Sequence, residues 1–254
     1  MKAIWILIFI FSQLQLFAKE EHLRAVLIGD THDRWIGKAC STDISCMKTS
    51  LTSICRQLSI RKEICVLKGS HCSKNDVMKW LNQTHAGPGD ITIFYYTGHG
   101  GLDLQGGGNF PYLDVKGGEL RGNLVVKWAR KWGSRLSIVL FDCCNLSDAD
   151  EKKFKATWQT SVINNDPLPG LRTLFLLSKG LICVSAASPH EYADAIIEGK
   201  HRGGIFTRGL IFSLKKLCRK QAVSWHQILQ STRTYTMRET HENQNPFSLL
   251  DSNK

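Results

Sequence analysis

"ITIFYYTGHGG", residues Ile91 to Gly101, carries the reading of this chain. Its first six residues are a continuous apolar and aromatic run, the pattern of a strand buried on both faces of a sheet. The chain then turns onto glycine and sets one histidine, His99, between Gly98 and Gly100. A histidine flanked by glycines has little packing to do, so this imidazole is placed to meet something.

Working outward, short apolar runs alternate with helical patterns. "AVLIG" (Ala25 to Gly29) reads as a first strand, followed by Ile44, Met47, Leu51, Ile54, Cys55 and Leu58 at helical spacing. "EICVL" (Glu63 to Leu67) reads as a second strand. Ser73 and Asp76 then resemble a capping box ahead of Val77, Met78 and Leu81. "LSIVLFD" (Leu136 to Asp142) is the fourth strand, joined to the third by a helix near Glu119 to Trp132. "LICVSA" (Leu181 to Ala186) is the fifth, and two further helices are expected near Ile205 to Cys218 and Ser224 to Arg238. Such alternation predicts an α/β sandwich around a mostly parallel sheet. In these sheets sites form beyond the carboxyl ends of the strands, which is where His99 lies. The glycines at 106 to 108 read as a loop and lack the lysine of a phosphate-binding loop. Ser147 to Gly180 reads as a long, polar, partly basic connection without a clear period.

The fourth strand also runs apolar residues into a polar tip, "LFDCCN", carrying Asp142, Cys143, Cys144 and Asn145. Adjacent parallel strands bring the two tips to one sheet edge, an imidazole on one and a thiol on the other. Cysteine nucleophilic catalysis needs that pairing. A thiol of pKa about 8.5 is only slightly ionised at neutral pH, and a nearby histidine raises the thiolate fraction.

"YYTGHGG" and "FDCCN" together resemble the motifs of the caspase-like cysteine peptidases, and among them the metacaspases and bacterial orthocaspases. Members show an aromatic-Ser-Gly-His-Gly stretch and an Asp-Ser-Cys-His-Ser-Gly stretch. His99 takes the catalytic histidine position and Cys144 the nucleophile position, 45 residues apart, against about 50 in caspases. Cys143 replaces the motif serine, and neighbours along a strand point to opposite faces, which separates it from Cys144. Asn145, Leu146 and Ser147 depart from the motif's His-Ser-Gly. "KACSTDISC" is similar to the Cys-x-x-Asp element after the first strand, which gives Asp43 a substrate-binding position. Its rival role is to cap a helix beginning at Ile44. "VSAASPHEYADA" with "GGIFTRGL" is similar to the small-subunit core. The resemblance spans residues 23 to 250 and divides them into a large-subunit-like part (23–146), a linker (147–180) and a small-subunit-like part (181–250).

The resemblance implies a caspase-like three-layer sandwich with about six strands and helices on both faces. It implies an oxyanion hole from the backbone amides of Gly100 and Cys144. It also implies a pocket in which Asp43 and Asp142 hold an arginine or lysine side chain of a protein or peptide substrate, carboxylates being suited to bidentate pairing with a guanidinium. No cofactor is required. Asp114 matches one calcium-binding position of the family. Gly122 and Asn123 stand where a later acidic pair would lie, so no metal is expected. The linker's Lys152, Lys153, Lys155 and Arg172 are expected sites of self-cleavage. The departures after Cys144 leave one alternative, a non-catalytic caspase-like domain serving as a binding or scaffold module.

Composition adds context. The formal charge of +11 is spread along the chain without a basic stripe interleaved with aromatics, so no nucleic acid partner is expected. "MKAIWILIFIFSQLQLFAKEE" has an apolar run from Ala3 to Phe11, too short to span a bilayer but suited to a secretory signal cleaved after Ala18. The expectation is therefore a secreted or periplasmic protein with no membrane contact beyond that segment. Export permits disulfides, and nine cysteines is an odd number.

Overall fold

The computed structural model describes residues 21–105, 109–146, 162–199 and 202–252. The N-terminal apolar run and its proposed cleavage site lie outside these residues, as do Lys152, Lys153 and Lys155. Among the described residues no helix is long and apolar enough to cross a membrane.

Five strands run parallel through the centre: β1 (His22–Gly29), β2 (Arg61–Lys68), β3 (Ile91–Thr97), β7 (Leu136–Asp142) and β8 (Gly180–Ser185). A sixth, β11 (Phe247–Asp251), adds antiparallel to β8, giving the order β11-β8-β7-β3-β1-β2, while the two-residue strands β9 (Ala195–Ile196) and β10 (Gly203–Gly204) pair with each other outside this sheet. Among the described residues five α-helices cover the sheet: α1 (Gly37–Leu58), α2 (Lys74–Gln83), α3 (Gly122–Ala129), α4 (Ile205–Leu217) and α5 (Trp225–Glu239). Alternation along β1 sends Leu23, Ala25 and Leu27 to one face and Val26 and Ile28 to the other. The first face packs on α1, α4 and α5 through Ile44, Leu51, Phe206, Leu210 and Ile228. The second packs on α2 and α3 through Val77, Leu81, Val125 and Ala129. The result is the expected three-layer sandwich.

Helix starts follow local chemistry. At α2, Ser73 Oγ accepts the Asp76 amide at 3.1 Å and donates to Asp76 Oδ2 at 2.7 Å. At α5, Ser224 and Gln227 cap each other reciprocally.

The central strands β3 and β7 are buried along their whole lengths. Tyr95 and Tyr96 are fully buried, yet both hydroxyls are satisfied. Tyr95 Oη lies 2.7 Å from Thr207 Oγ1, while Tyr96 Oη lies 2.6 Å from His99 O and 2.7 Å from Asp114 O. An unsatisfied buried hydroxyl costs roughly 1–3 kcal/mol. Tyr96 therefore anchors the loop that follows its own strand, and Tyr95 ties the strand to α4.

Three expectations need correction. Glu119 to Arg121 is not helical. It belongs to a hairpin of β5 (Tyr112–Val115) and β6 (Gly118–Arg121), joined by β4 (Gly100–Gly101) in a three-stranded sheet. Leu113 and Leu120 are buried against the second face, so tertiary packing overrides the helical period there. Second, the connection before β8 is not irregular throughout. Residues 172–177 form a π-helical turn, and Leu168, Leu171, Leu174 and Phe175 are buried in the core. Third, Asp43 caps no helix, because α1 begins at Gly37 and places Asp43 in its second turn.

Candidate active site

Strands β3 and β7 end in register, with Thr97 opposite Asp142, and the Gly98 amide donates to Asp142 O at 3.3 Å. His99 and Cys144 therefore each stand two residues beyond a matched pair. Both line one cleft with about 870 Å³ of empty space, partly open to solvent. Asp43 and Asp142 line it too, as do Trp35, Tyr192, Asp194 and Gly204. The strand ends and α1 thus converge the sequence-read site residues on one surface. Gly100, the remaining one, follows His99 as the first residue of β4 and pairs with Leu113.

Cys144 is half-buried, whereas Cys143 is buried among the core residues of the opposite face. Burial pushes the Cys143 thiol well up, and the neighbouring Cys144 and Asp142 add to the effect. Cys143 is thereby a poor nucleophile at neutral pH. The space beneath Gly100 is filled by it: a β-carbon at Gly100 would fall 2.7 Å from Cys143 Sγ and 2.6 Å from Tyr112 O. Cys144 Sγ lies 3.4 Å from the Ala193 amide nitrogen and 3.8 Å from Ala193 O, against the wall formed by residues 192–195. Among the described residues no disulfide joins the cysteines.

The departure at Asn145 has a structural reason. Its side chain is fully buried and donates to Asn109 O at 3.0 Å, while its amide donates to Glu191 O at 3.0 Å and its carbonyl accepts from His190 at 2.7 Å. The residue after Cys144 ties the β7 tip to the 187–191 segment.

Asp43 and Asp142 are both buried. Asp43 Oδ2 accepts the Gly204 amide at 2.9 Å and the Thr97 hydroxyl at 3.3 Å. Asp142 Oδ2 accepts the Thr207 hydroxyl at 2.6 Å and its amide at 3.3 Å. Burial, and then the charge of Asp142, hold the Asp43 carboxyl well above the usual carboxylate range, against the Gly204 and Thr97 hydrogen bonds and the charge of Arg208. Burial pushes Asp142 up to about 6, against the Thr207 hydrogen bonds. The two carboxyls therefore share one cleft, and the charge of Asp142 disfavours ionisation of Asp43.

The sequence reading missed several residues. Asp33 lies beside His99, with Oδ2 3.2 Å from Nε2. Thr207 holds Asp142, and Arg208 is buried near Asp43. Asp194 and Trp35 line the cleft. Thr207 stood within "GGIFT", a stretch already singled out. Asp33 had a weaker signal: it follows β1, whose carboxyl end faces the same edge of the sheet. Among the described residues no group of three or more His, Cys, Asp or Glu side chains is arranged to hold a metal ion.

A parallel sheet delivering histidine and cysteine from neighbouring strand ends, above a buried acidic pocket, defines the class of α/β peptidase folds of caspase type. The sequence profile of the caspase domain, a peptidase family, matches residues 23–250, and the chain belongs to that family. Its substrates are accordingly proteins. No curated protein matches the chain. Among solved structures, a crystallised protein from Geobacter sulfurreducens is similar, at 17% identity and a TM-score of 0.53 over 91% of this chain and 93% of the other. That likeness speaks for the fold.

Proposed function

We propose that this protein is a caspase-like cysteine endopeptidase that cleaves after arginine or lysine. Cys144 is the nucleophile and His99 the proton carrier, and the protein is exported through its N-terminal apolar segment. The carrying observation is the register of β3 and β7, which sets His99 and Cys144 on one cleft together with the buried carboxyls of Asp43 and Asp142. In this reading His99 takes the proton of the Cys144 thiol and becomes an imidazolium, and the thiolate Sγ attacks the scissile carbonyl carbon, forming an S–C bond as the C=O π pair moves to oxygen. The amides of Gly100 and Cys144 receive that oxyanion. Collapse breaks the C–N bond, and the imidazolium of His99 delivers its proton to the leaving amine. Water then hydrolyses the thioester, with His99 taking its proton. Asp43 and Asp142 hold the basic P1 side chain.

The test is labelling by an arginyl chloromethyl ketone under reducing conditions, with the modified residue mapped by peptide mass spectrometry. Alkylation of Cys144 is the expected result. Complete inertness of the reduced protein would overturn the reading.

A further inference from the structure

The contact between Asp33 and His99 divides one carboxylate between two tasks. Asp33 Oδ1 accepts the backbone amides of Trp35 and Ile36, both at 2.7 Å, which fixes the turn leading into α1. The Gly37 amide adds a bond to Asp33 O at 3.1 Å. Asp33 Oδ2 is left to meet His99 Nε2 at 3.2 Å. The carboxylate is thus oriented by its own backbone before it touches the ring, and the ring's backbone is itself held by Tyr96 Oη at His99 O.

We propose that Asp33 is a positioning residue for His99: it holds Nε2–H and leaves Nδ1 as the ring nitrogen that exchanges a proton with the Cys144 thiol. The proposal rests on the peptidase reading above and extends the His–Cys pair to three residues. A carboxylate bonded to one ring nitrogen keeps the proton there in the neutral ring and stabilises the charged ring formed when the other nitrogen is protonated. Burial opposes ionisation of Asp33. The amides of Ile36 and Trp35 and the His99 ring outweigh it and hold the carboxyl below its usual range. Asp33 is therefore an anion throughout the neutral region. Other titratable groups face the same cleft: Asp30 from the β1 end acts on the ring by charge, Cys40 and Asp43 come from α1, Asp142, Cys143 and Cys144 from the β7 tip, and Tyr192 and Asp194 from the facing wall, while Asp114 of β5 bonds the His99 backbone. Among the described residues the ion pair to the ring is made by Asp33.

Asparagine separates the two tasks. Asp33→Asn keeps an Oδ1 acceptor for the two turn amides, since Asn serves such caps as well as Asp. It replaces Oδ2 with an NH₂ group, which can only donate, and therefore only to a ring whose Nε2 is bare. The neutral tautomer then becomes Nδ1–H, the wrong one to take a thiol proton.

The experiment has two arms. With an arginyl peptide, Asp33→Asn should lower kcat by about a hundredfold or more, the tautomer-breaking Asp→Asn substitution in a serine triad costing about 10⁴-fold, while KM changes less than threefold. In the Cys144→Ala background, ring ¹⁵N spectra at a pH where His99 is neutral should show Nε2–H with Asp33 and Nδ1–H with Asp33→Asn. A kcat within threefold of the parent, or an unchanged tautomer, overturns the proposal. Should the parent protein cleave nothing, the peptidase reading fails by itself, and the spectra alone decide whether Asp33 governs the ring.

Discussion

Asp43 and Asp142 close on the same glycine. The Gly204 amide donates to Asp43 Oδ2 at 2.9 Å, and a β-carbon on Gly204 would fall 2.2 Å from Asp142 Oδ2. At the preceding residue, Gly203, a β-carbon would fall 2.5 Å from Asp43 Oδ1, and its φ of +136° is one that other residues rarely adopt. The acidic pocket is therefore built against bare backbone. Gly204→Ala should displace Asp142, with an overpacking cost of roughly 1–3 kcal/mol. It should also lower kcat/KM on arginyl peptides at least tenfold. Steady-state kinetics with a thermal melt checks this, and unchanged kinetics would refute the close fit.

Selectivity at P1 should follow the same two carboxyls. Opposite charges 4 Å apart attract by about 4 kcal/mol at an effective dielectric near 20, and desolvation offsets much of that. Arginine should exceed glutamate at P1 by about a hundredfold or more in kcat/KM. It should exceed lysine modestly, because its planar fork can engage both carboxylates. A P1-varied peptide panel on wild type, Asp43→Asn and Asp142→Asn measures this. Robust cleavage after aspartate by the wild type, or unaltered selectivity in both variants, would remove the pocket assignment.

The same pair sets a pH dependence of stability. Their folded carboxyls are raised above the ordinary value, Asp142 to about 6. Between pH 4 and 6 the fold binds protons that the unfolded chain has released, so stability falls as pH rises through that window. Asp142→Asn should remove much of the slope and melt about 5 °C higher than wild type at pH 8, a few kcal/mol corresponding to such a shift in a chain of this size. Turnover of arginyl peptides runs the other way, rising with pH through about 6 as Asp142 ionises. Melting curves from pH 4 to 8 that are parallel for wild type and Asp142→Asn would contradict the account.

Adjacent cysteines should differ sharply. Cys144→Ala and His99→Ala are each expected to abolish cleavage. Cys143→Ala should keep activity within about tenfold while losing roughly 1–2 kcal/mol of stability from the space left under Gly100. Equal activity in wild type and Cys144→Ala would exclude Cys144 as the nucleophile.

Self-cleavage, if it accompanies activity, should fall at Lys152, Lys153 or Lys155 rather than at Arg172. Arg172 opens a turn whose Leu174 and Phe175 are buried in the core, and a protease must unfold a segment to cut it. Intact-mass analysis of wild type beside Cys144→Ala distinguishes the sites. A cut after Arg172 in a folded, active protein would show that the turn opens readily.

The amino-acid sequence by itself determined the layers and the two strand tips that carry histidine and cysteine. Apolar runs such as "ITIFYY" and "LSIVLFD" must bury both faces, and helical periods must cover them, so the sandwich follows from local patterning. Asp43, His99, Asp142 and Cys144 stood out as candidates because they match short motifs of the caspase-like resemblance, and the fold brings all four to one cleft. Tertiary structure decided what depends on residues distant in the chain. Glu119 to Arg121 became strand because Tyr112 to Val115 offered it a partner. Asp43 became a pocket wall because Gly204 came to it across 161 residues. Asp33 met His99 only when the β1 and β3 ends were brought side by side. Local propensity acts over a few residues, whereas a site is assembled from strand ends whose neighbours the sheet order selects.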